Sequence, residues 1–209
     1  MHFYWHRLRM WLTLLLGYVT DLSLFLGVVL IGGLGTSWYM VEAGSMLSTR
    51  SIGPWVMWTN AARADADPYT RAHFARSGML ALSTEVARTY VARTDSDGER
   101  LHSSCEYLIE GQDLAAQWWS LTAFDDRGAL IPNIAGRHAF TSQTMTIAAD
   151  GRYVVALSRD ARPGNWLPTG GAGRIALVLE IVEARVSTLA STADDDADTL
   201  PEIRRVQCR

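Results

Sequence analysis

The sequence contains no lysine, and all 19 of its basic residues are arginine. A Schiff-base or lysine general-base mechanism is thereby excluded, because both need a titratable amine. Cysteine is scarce too. Cys105 and Cys208 are too few for a disulfide scaffold and lack the C-x-x-C spacing of redox and metal motifs. Cys105 reads as a buried strand thiol and Cys208 as a free thiol at the chain end, with no link expected between them. The formal net charge of −3 provides no basic face to neutralise phosphates, so a nucleic-acid partner is set aside. No G-x-S-x-G elbow, H-E-x-x-H helix or metal-spaced histidine pair occurs. Only His73, His102 and His138 follow the N-terminal region, and no cofactor or metal is expected.

Apolar residues, by contrast, are concentrated at residues 10–41. Within that stretch the run from Leu22 to Val41 carries no charge, and roughly 20 apolar residues at 1.5 Å rise cross a hydrocarbon core of about 30 Å. The lipid bilayer is therefore the first partner expected. Arg7 and Arg9 precede the run and no base follows it until Arg50, which places the N-terminus in the cytoplasm. A cleaved signal peptide is the competing reading, although its apolar region would be shorter and followed by a small-residue cleavage site. Asp21 marks either the cytoplasmic boundary of the span or a contact with a partner helix. The chain thus divides into a cytoplasmic N-terminus and membrane-entry segment (1–21), a transmembrane helix (22–41), a linker (42–52), an extracytoplasmic domain (53–183) and a flexible acidic tail (184–209).

In the domain, Asp67-Pro68 reads as an N-cap followed by proline at the first helical position, and Gly78 closes a short helix. Thereafter the period changes to two. Strands are expected over 79–82, 88–94, 101–110, 118–124, 143–148, 153–158 and 174–182, separated by turns such as Asp95-Ser96-Asp97-Gly98. That turn shares a fragment of a calcium loop but lacks its first ligand and its bidentate glutamate, so a plain turn is preferred. Short strands at this spacing argue a mainly β fold, a jelly-roll-like β-sandwich with one short helix, preceded by a single transmembrane helix. Residues 187–199, rich in Ser, Thr, Ala and Asp, cannot bury enough apolar surface to order themselves. An acidic patch for a basic partner is the sharper reading of the same residues.

The ordered set Gly53-Pro54-Trp55, Asp67-Pro68-Tyr69-Thr70-Arg71-Ala72, Asp95-Ser96-Asp97-Gly98, Trp118-Trp119-Ser120-Leu121-Thr122, Pro132-Asn133, Arg137 and Asn165-Trp166-Leu167-Pro168 resembles the domain-of-unknown-function family 1214. The resemblance covers residues 52–183. It implies a jelly-roll-like sandwich in a bacterial envelope, behind a single N-terminal helix and without the second domain, numbered 1254, with which this domain is also found. It implies no established activity. Combined with the charge bias, it places the chain in the bacterial inner membrane with its domain in the periplasm. The segment Leu179-Glu180-Ile181-Val182 and the Asp-rich tail depart from the family's pattern.

The densest polar-aromatic set is Trp118, Trp119, Asp125, Asn133, Arg137, Ser142 and Trp166, of which Trp118, Trp119, Asn133, Arg137 and Trp166 are the expected ligand-binding residues. Neighbouring tryptophans on a strand point to opposite faces, and an outward one beside Asn and Arg suits a sugar or aromatic ligand. The plainer account has one Trp in the core, Asn133 ending a turn and Arg137 paired with Asp125 or Asp126. For catalysis the weak candidates are His138, Ser142 and Asp125. Adjacency of Arg137 and His138 puts them on opposite faces, and no spacing supports a carboxylate pair of Asp125 with Glu106. The leading expectation is a binding module for an envelope protein or a small ligand, and the alternative is an envelope hydrolase.

Overall fold

The computed structural model describes residues 2–44, 47–78, 80, 82–114, 116–184 and 200–209. It separates into two compact units, residues 1–45 and 46–209.

The first unit is one helix, α1 (His2–Ala43), running without interruption through Asp21. Its stretch Met10–Ala43, 34 residues, is long and apolar enough to cross a membrane. Its three threonine side chains bond within the helix: Thr13 Oγ1 donates to the Met10 carbonyl at 2.9 Å, Thr20 to Gly17 at 2.7 Å and Thr36 to Gly32 at 2.8 Å. Hydroxyls satisfied by their own helix need no water, which makes the surface compatible with hydrocarbon.

The second unit is a two-sheet β structure. Strands β1 (Thr49–Ile52), β2 (Trp55–Trp58), β3 (Ala87–Ala92), β9 (Ile175–Ala184), β5 (Ala116–Asp125) and β6 (Ala139–Thr141) form one sheet in that spatial order. The second sheet runs β10 (Glu202–Cys208), β4 (Cys105–Gln112), β7 (Arg152–Ser158) and β8 (Asn165–Pro168). All neighbours are antiparallel except β7 and β8. Alternation decides which side chains enter the core: Trp119, Leu121 and Ala123 from β5 face Tyr107 and Ile109 from β4 and Tyr153, Val155 and Leu157 from β7. Trp119 stacks on Tyr153 with ring centroids 5.3 Å apart, joining the two sheets. Burying such a ring stabilises the fold by roughly 1.5–3 kcal/mol.

The short helix α2 (Pro68–Ser77) starts and stops where its sequence dictates. Asp67 accepts hydrogen bonds from the Tyr69 and Thr70 amides, Pro68 occupies the first turn, and Gly78 ends the helix in the left-handed region at φ 65°. Its His73 stacks on Trp58 at 4.2 Å, docking α2 against β2.

Several expectations need correction. Cys105 and Cys208 form a disulfide, so neither is a free thiol. They lie directly opposite in the antiparallel pair of β4 and β10, a proximity that only the fold creates. Part of the expected flexible tail is strand β10. Ile203 is wholly buried in the core, its amide and carbonyl bond to Ser96 Oγ and the Ser96 amide, both at 2.9 Å, and Arg205 pairs with the buried Asp95 at 2.8 Å. The Asp95-Ser96-Asp97-Gly98 turn is thus the dock for β10, with its first carboxylate committed to Arg205 and to the Glu99 amide. Residues 185–199, including the aspartate run, lie outside the described residues.

Residues 49–52, expected in the linker, pair with β2. The strand expected over 143–148 is a turn and irregular chain. There Thr144 caps the Thr141 amide, and the Asn165 side-chain amide bonds both the Thr146 amide and its carbonyl at 2.9 Å, taking the place of a strand partner. Of the strand expected over 79–82, Leu80 and Leu82 are irregular and exposed, and positions 79 and 81 fall outside the described residues. The strand expected from residue 101 begins at Cys105.

Candidate functional site

The outward face of the four-stranded sheet is an open groove of about 1180 Å³. Its floor follows from the two-residue period. Because Tyr107, Ile109, Tyr153, Val155 and Leu157 point inward, the residues between them, Leu108, Val154 and Ala156, must point out. Ile147 and Val206 extend this apolar strip. Ion pairs border it: Glu106 with Arg162 and Glu110 with Arg204, each at 2.6 Å, and Asp150 with Arg152 at 2.6 Å. Hydrogen bonding from Arg162 holds the Glu106 carboxyl below the ordinary carboxylate range. Asp150 is lowered likewise, first by the Arg152 amide and then by its guanidinium. The chemistry of the groove is amphipathic, an apolar strip with fixed charges of both signs at its rim.

One buried polar group lies beside this face. Tyr153 crosses Gly111, where an added Cβ would stand 2.7 Å from its hydroxyl. That hydroxyl is buried without a hydrogen-bond partner. Burial first, and then the charge of Asp113, push its pKa up.

The residues singled out from the sequence fall into three places. Trp119 is in the core, its Nε1 donating to Asp113 at 3.2 Å, while Trp118 takes the opposite face of β5 and is half-buried. Asn133, Arg137, His138 and Trp166 come together. Asn133 Nδ2 donates to the Ile131 and Arg137 carbonyls at 3.1 and 2.9 Å and lies 3.3 Å from His138 Nδ1, and its Oδ1 accepts from the Arg137 amide. Arg137 reaches the Trp166 carbonyl at 3.2 Å and lies over the Phe140 ring at 5.5 Å, so its partners are neither Asp125 nor Asp126. Asp126 pairs with Arg174.

Asp125 folds its own turn, accepting from the Arg127 and Ala129 amides at 2.9 and 2.8 Å. The Ser142 amide donates to the Trp119 carbonyl. Asp125 and Glu106 stand on different sheets. No group of three His, Cys, Asp or Glu side chains that could hold a metal occurs among the described residues. Sequence reasoning missed the groove because its lining comes from four strands and two loops whose pairing is not local. The alternation in 152–158 was the only signal that half of that strand must face outward.

Residues 86–185 match the model of a family described as a protein of unknown function (DUF1214). The match runs from β3 through β9 and leaves β10 outside it. No curated protein matches the chain. Among solved structures, the VPA0106 protein from Vibrio parahaemolyticus is similar over 84% of this chain and 43% of its own, at 19% identity and a TM-score of 0.58. A protein from Burkholderia cenocepacia is similar over 59% of this chain and 30% of its own, at 19% identity and a TM-score of 0.40. The chain therefore spans less than half the length of either.

Proposed function

We propose that this chain, whose residues 86–185 match the DUF1214 family model, is a membrane-anchored binding module of the bacterial envelope. Its α1 helix crosses the inner membrane with the N-terminus inside. Its jelly-roll-like sandwich lies in the periplasm and holds an envelope protein or a small amphipathic ligand in the groove over Leu108, Val154 and Ala156. The observation that carries this reading is the disulfide between Cys105 and Cys208. Such bonds form and persist outside the reducing cytosol, and this one fixes the strand that forms one wall of the groove. The arginines at positions 7 and 9, ahead of the apolar run, give the same orientation independently.

Binding is favoured over hydrolysis by where the polar groups point. His138 Nδ1 lies against the Asn133 side chain, and the Asp125 carboxylate is taken up by its own turn. The test has two arms. A periplasm-active reporter fused after Arg209 should work and a cytoplasm-active one should not. The full chain, captured from its own membranes in mild detergent, should retain a protein or metabolite that Val154→Arg loses at unchanged thermal stability. An inactive periplasmic reporter refutes the topology, and identical retention by the variant refutes the groove.

A further inference from the structure

We propose that one end of the six-stranded sheet is a lipid-contacting surface, with Leu47, Leu80, Leu82 and Val86 set into the headgroup region of the bilayer that holds α1. Strand register gathers these residues. Thr49 pairs with Trp58, and the Ser48 carbonyl accepts from the Thr59 amide at 3.0 Å, so Leu47 lies just beyond the Trp58 end of β2. Strand β3 starts from that same end: Met57 pairs with Tyr90, which puts Ala87, the first residue of β3, and Val86 before it alongside the residues that follow Trp58. The loop that carries Leu80 and Leu82 has both its ends there too. It leaves α2, which is docked on Trp58 through His73 and Phe74, and closes into β3 with the Val86 and Ala87 amides donating to the Ser83 carbonyl at 2.8 and 2.9 Å. Trp118 pairs with Val182 and Val182 with Ala87, so the half-buried outward tryptophan of β5 stands in the same row.

These four aliphatic side chains are held out in water. Leu80 is 95% exposed, Leu47 86%, and Leu82 and Val86 nearly half. A leucine exposed singly is ordinary, whereas four such side chains at one end of a sheet mark a surface that meets something apolar. The covalent chain says what that is. Helix α1 ends at Ala43 and β1 starts at Thr49, and six steps of at most about 3.6 Å hold Thr49 within about 22 Å of the helix end. A helix that crosses a bilayer ends at its surface, so β1 and the residues beside it are confined to a shell next to the headgroups. So short a tether makes the contact intramolecular, and even weak insertion is then populated. Apolar side chains at such a boundary sink about 5–10 Å into it, and a tryptophan settles at headgroup level. Charge does not oppose this: residues 47–88 carry five arginines and three carboxylates, two of which, Asp65 and Glu85, are paired with Arg63. Among the described residues, the other exposed large apolar side chains of this unit lie elsewhere. Val154 and Val206 line the groove, and Leu130 and Ile134 follow Asp125 at the opposite end of β5.

The contact requires α1 to be embedded in a bilayer, from either side, and needs nothing of the groove. The full chain is reconstituted into vesicles of phosphatidylethanolamine and phosphatidylglycerol that contain a phospholipid with a photoactivatable diazirine near its glycerol. Labelled residues are mapped by mass spectrometry after photolysis. Label is expected on α1 and on residues 80–86, and not on Leu130 and Ile134, which are also apolar and exposed. Leu80→Asp combined with Leu82→Asp should lower the labelling of Val86 about ten-fold or more, since burying one leucine already corresponds to a factor of about ten. Melting of that variant in detergent should match the parent, because both side chains stand in solvent. An unlabelled α1 refutes the membrane anchor and this contact with it. Label on α1 with no more at 80–86 than at Leu130 and Ile134, or unchanged labelling of Val86 in the double variant, overturns the lipid surface alone. Labelling of 80–86 that appears only when the protein is diluted in lipid assigns the patch to a second copy and overturns it as well.

Discussion

Replacing both Cys105 and Cys208 with serine removes a crosslink between residues 103 positions apart. In the chain-entropy model, opening a loop of that length returns about 16 cal/mol/K to the unfolded ensemble, or about 4.7 kcal/mol at room temperature. The native side of the balance changes little, because β10 keeps the buried Ile203, the Ser96 bonds and the Arg205–Asp95 pair. The full entropic figure is an upper bound, since real unfolded chains retain structure, and a loss of about 2–4 kcal/mol is expected. Against a typical domain stability of about 5–15 kcal/mol, that is a large share. Urea unfolding of the oxidised parent and the double-serine variant, both in detergent, measures it. The midpoint should fall while the dependence on urea steepens, because the uncrosslinked chain exposes more surface when unfolded. A variant that unfolds at the parental midpoint would refute the reasoning, and so would non-reducing mass spectrometry showing two free thiols in the parent.

Two further outcomes follow from single positions. Gly111→Ala places a methyl 2.7 Å from the Tyr153 hydroxyl and 3.0 Å from Pro201 Cβ, which should cost about 1–3 kcal/mol of overpacking. Adding Tyr153→Phe, which deletes an unpartnered buried oxygen, should recover part of that loss in the same urea assay. Asp67→Ala removes the α2 cap at a cost of about 1 kcal/mol. Burial alone would raise the Asp67 carboxyl, but hydrogen bonds from the Thr70 hydroxyl and the Thr70 and Tyr69 amides outweigh it and hold it below its ordinary 3.8. A depressed carboxyl stabilises the fold above its unfolded value and loses that contribution as pH falls through the folded one. Below about pH 4 the stability of parent and variant should therefore converge. A gap that persists there would assign the loss to packing instead.

The elements readable in the sequence were those whose signals are local. The α2 boundaries were set by Asp67, Pro68 and Gly78, the turn at residues 95–98 by its own chemistry, and β7 and β9 by runs with a clear period. The strands that escaped were specified by partners far away. In β10, Arg204, Arg205 and Gln207 make the segment look solvated, and the single wholly buried Ile203 counts only once Ser96 and β4 are alongside. Thr49–Ile52 is polar and short, and is a strand because β2 lies beside it. The site follows the same rule. One tryptophan inward and one outward was legible from alternation, whereas the partner of Arg137 was not. The structure sends that guanidinium to a backbone carbonyl 29 residues away instead of to a nearby aspartate.

The placement of β10 also has a bearing on biogenesis. Ile203 and the Trp55 bond to the Pro201 carbonyl complete the core from positions translated after every other strand. The nascent domain is consequently an open-edged intermediate until about residue 208 has emerged, with β4 unpaired on one side and the Cys105 thiol accessible. Oxidation of that thiol with Cys208 therefore cannot precede the synthesis of β10.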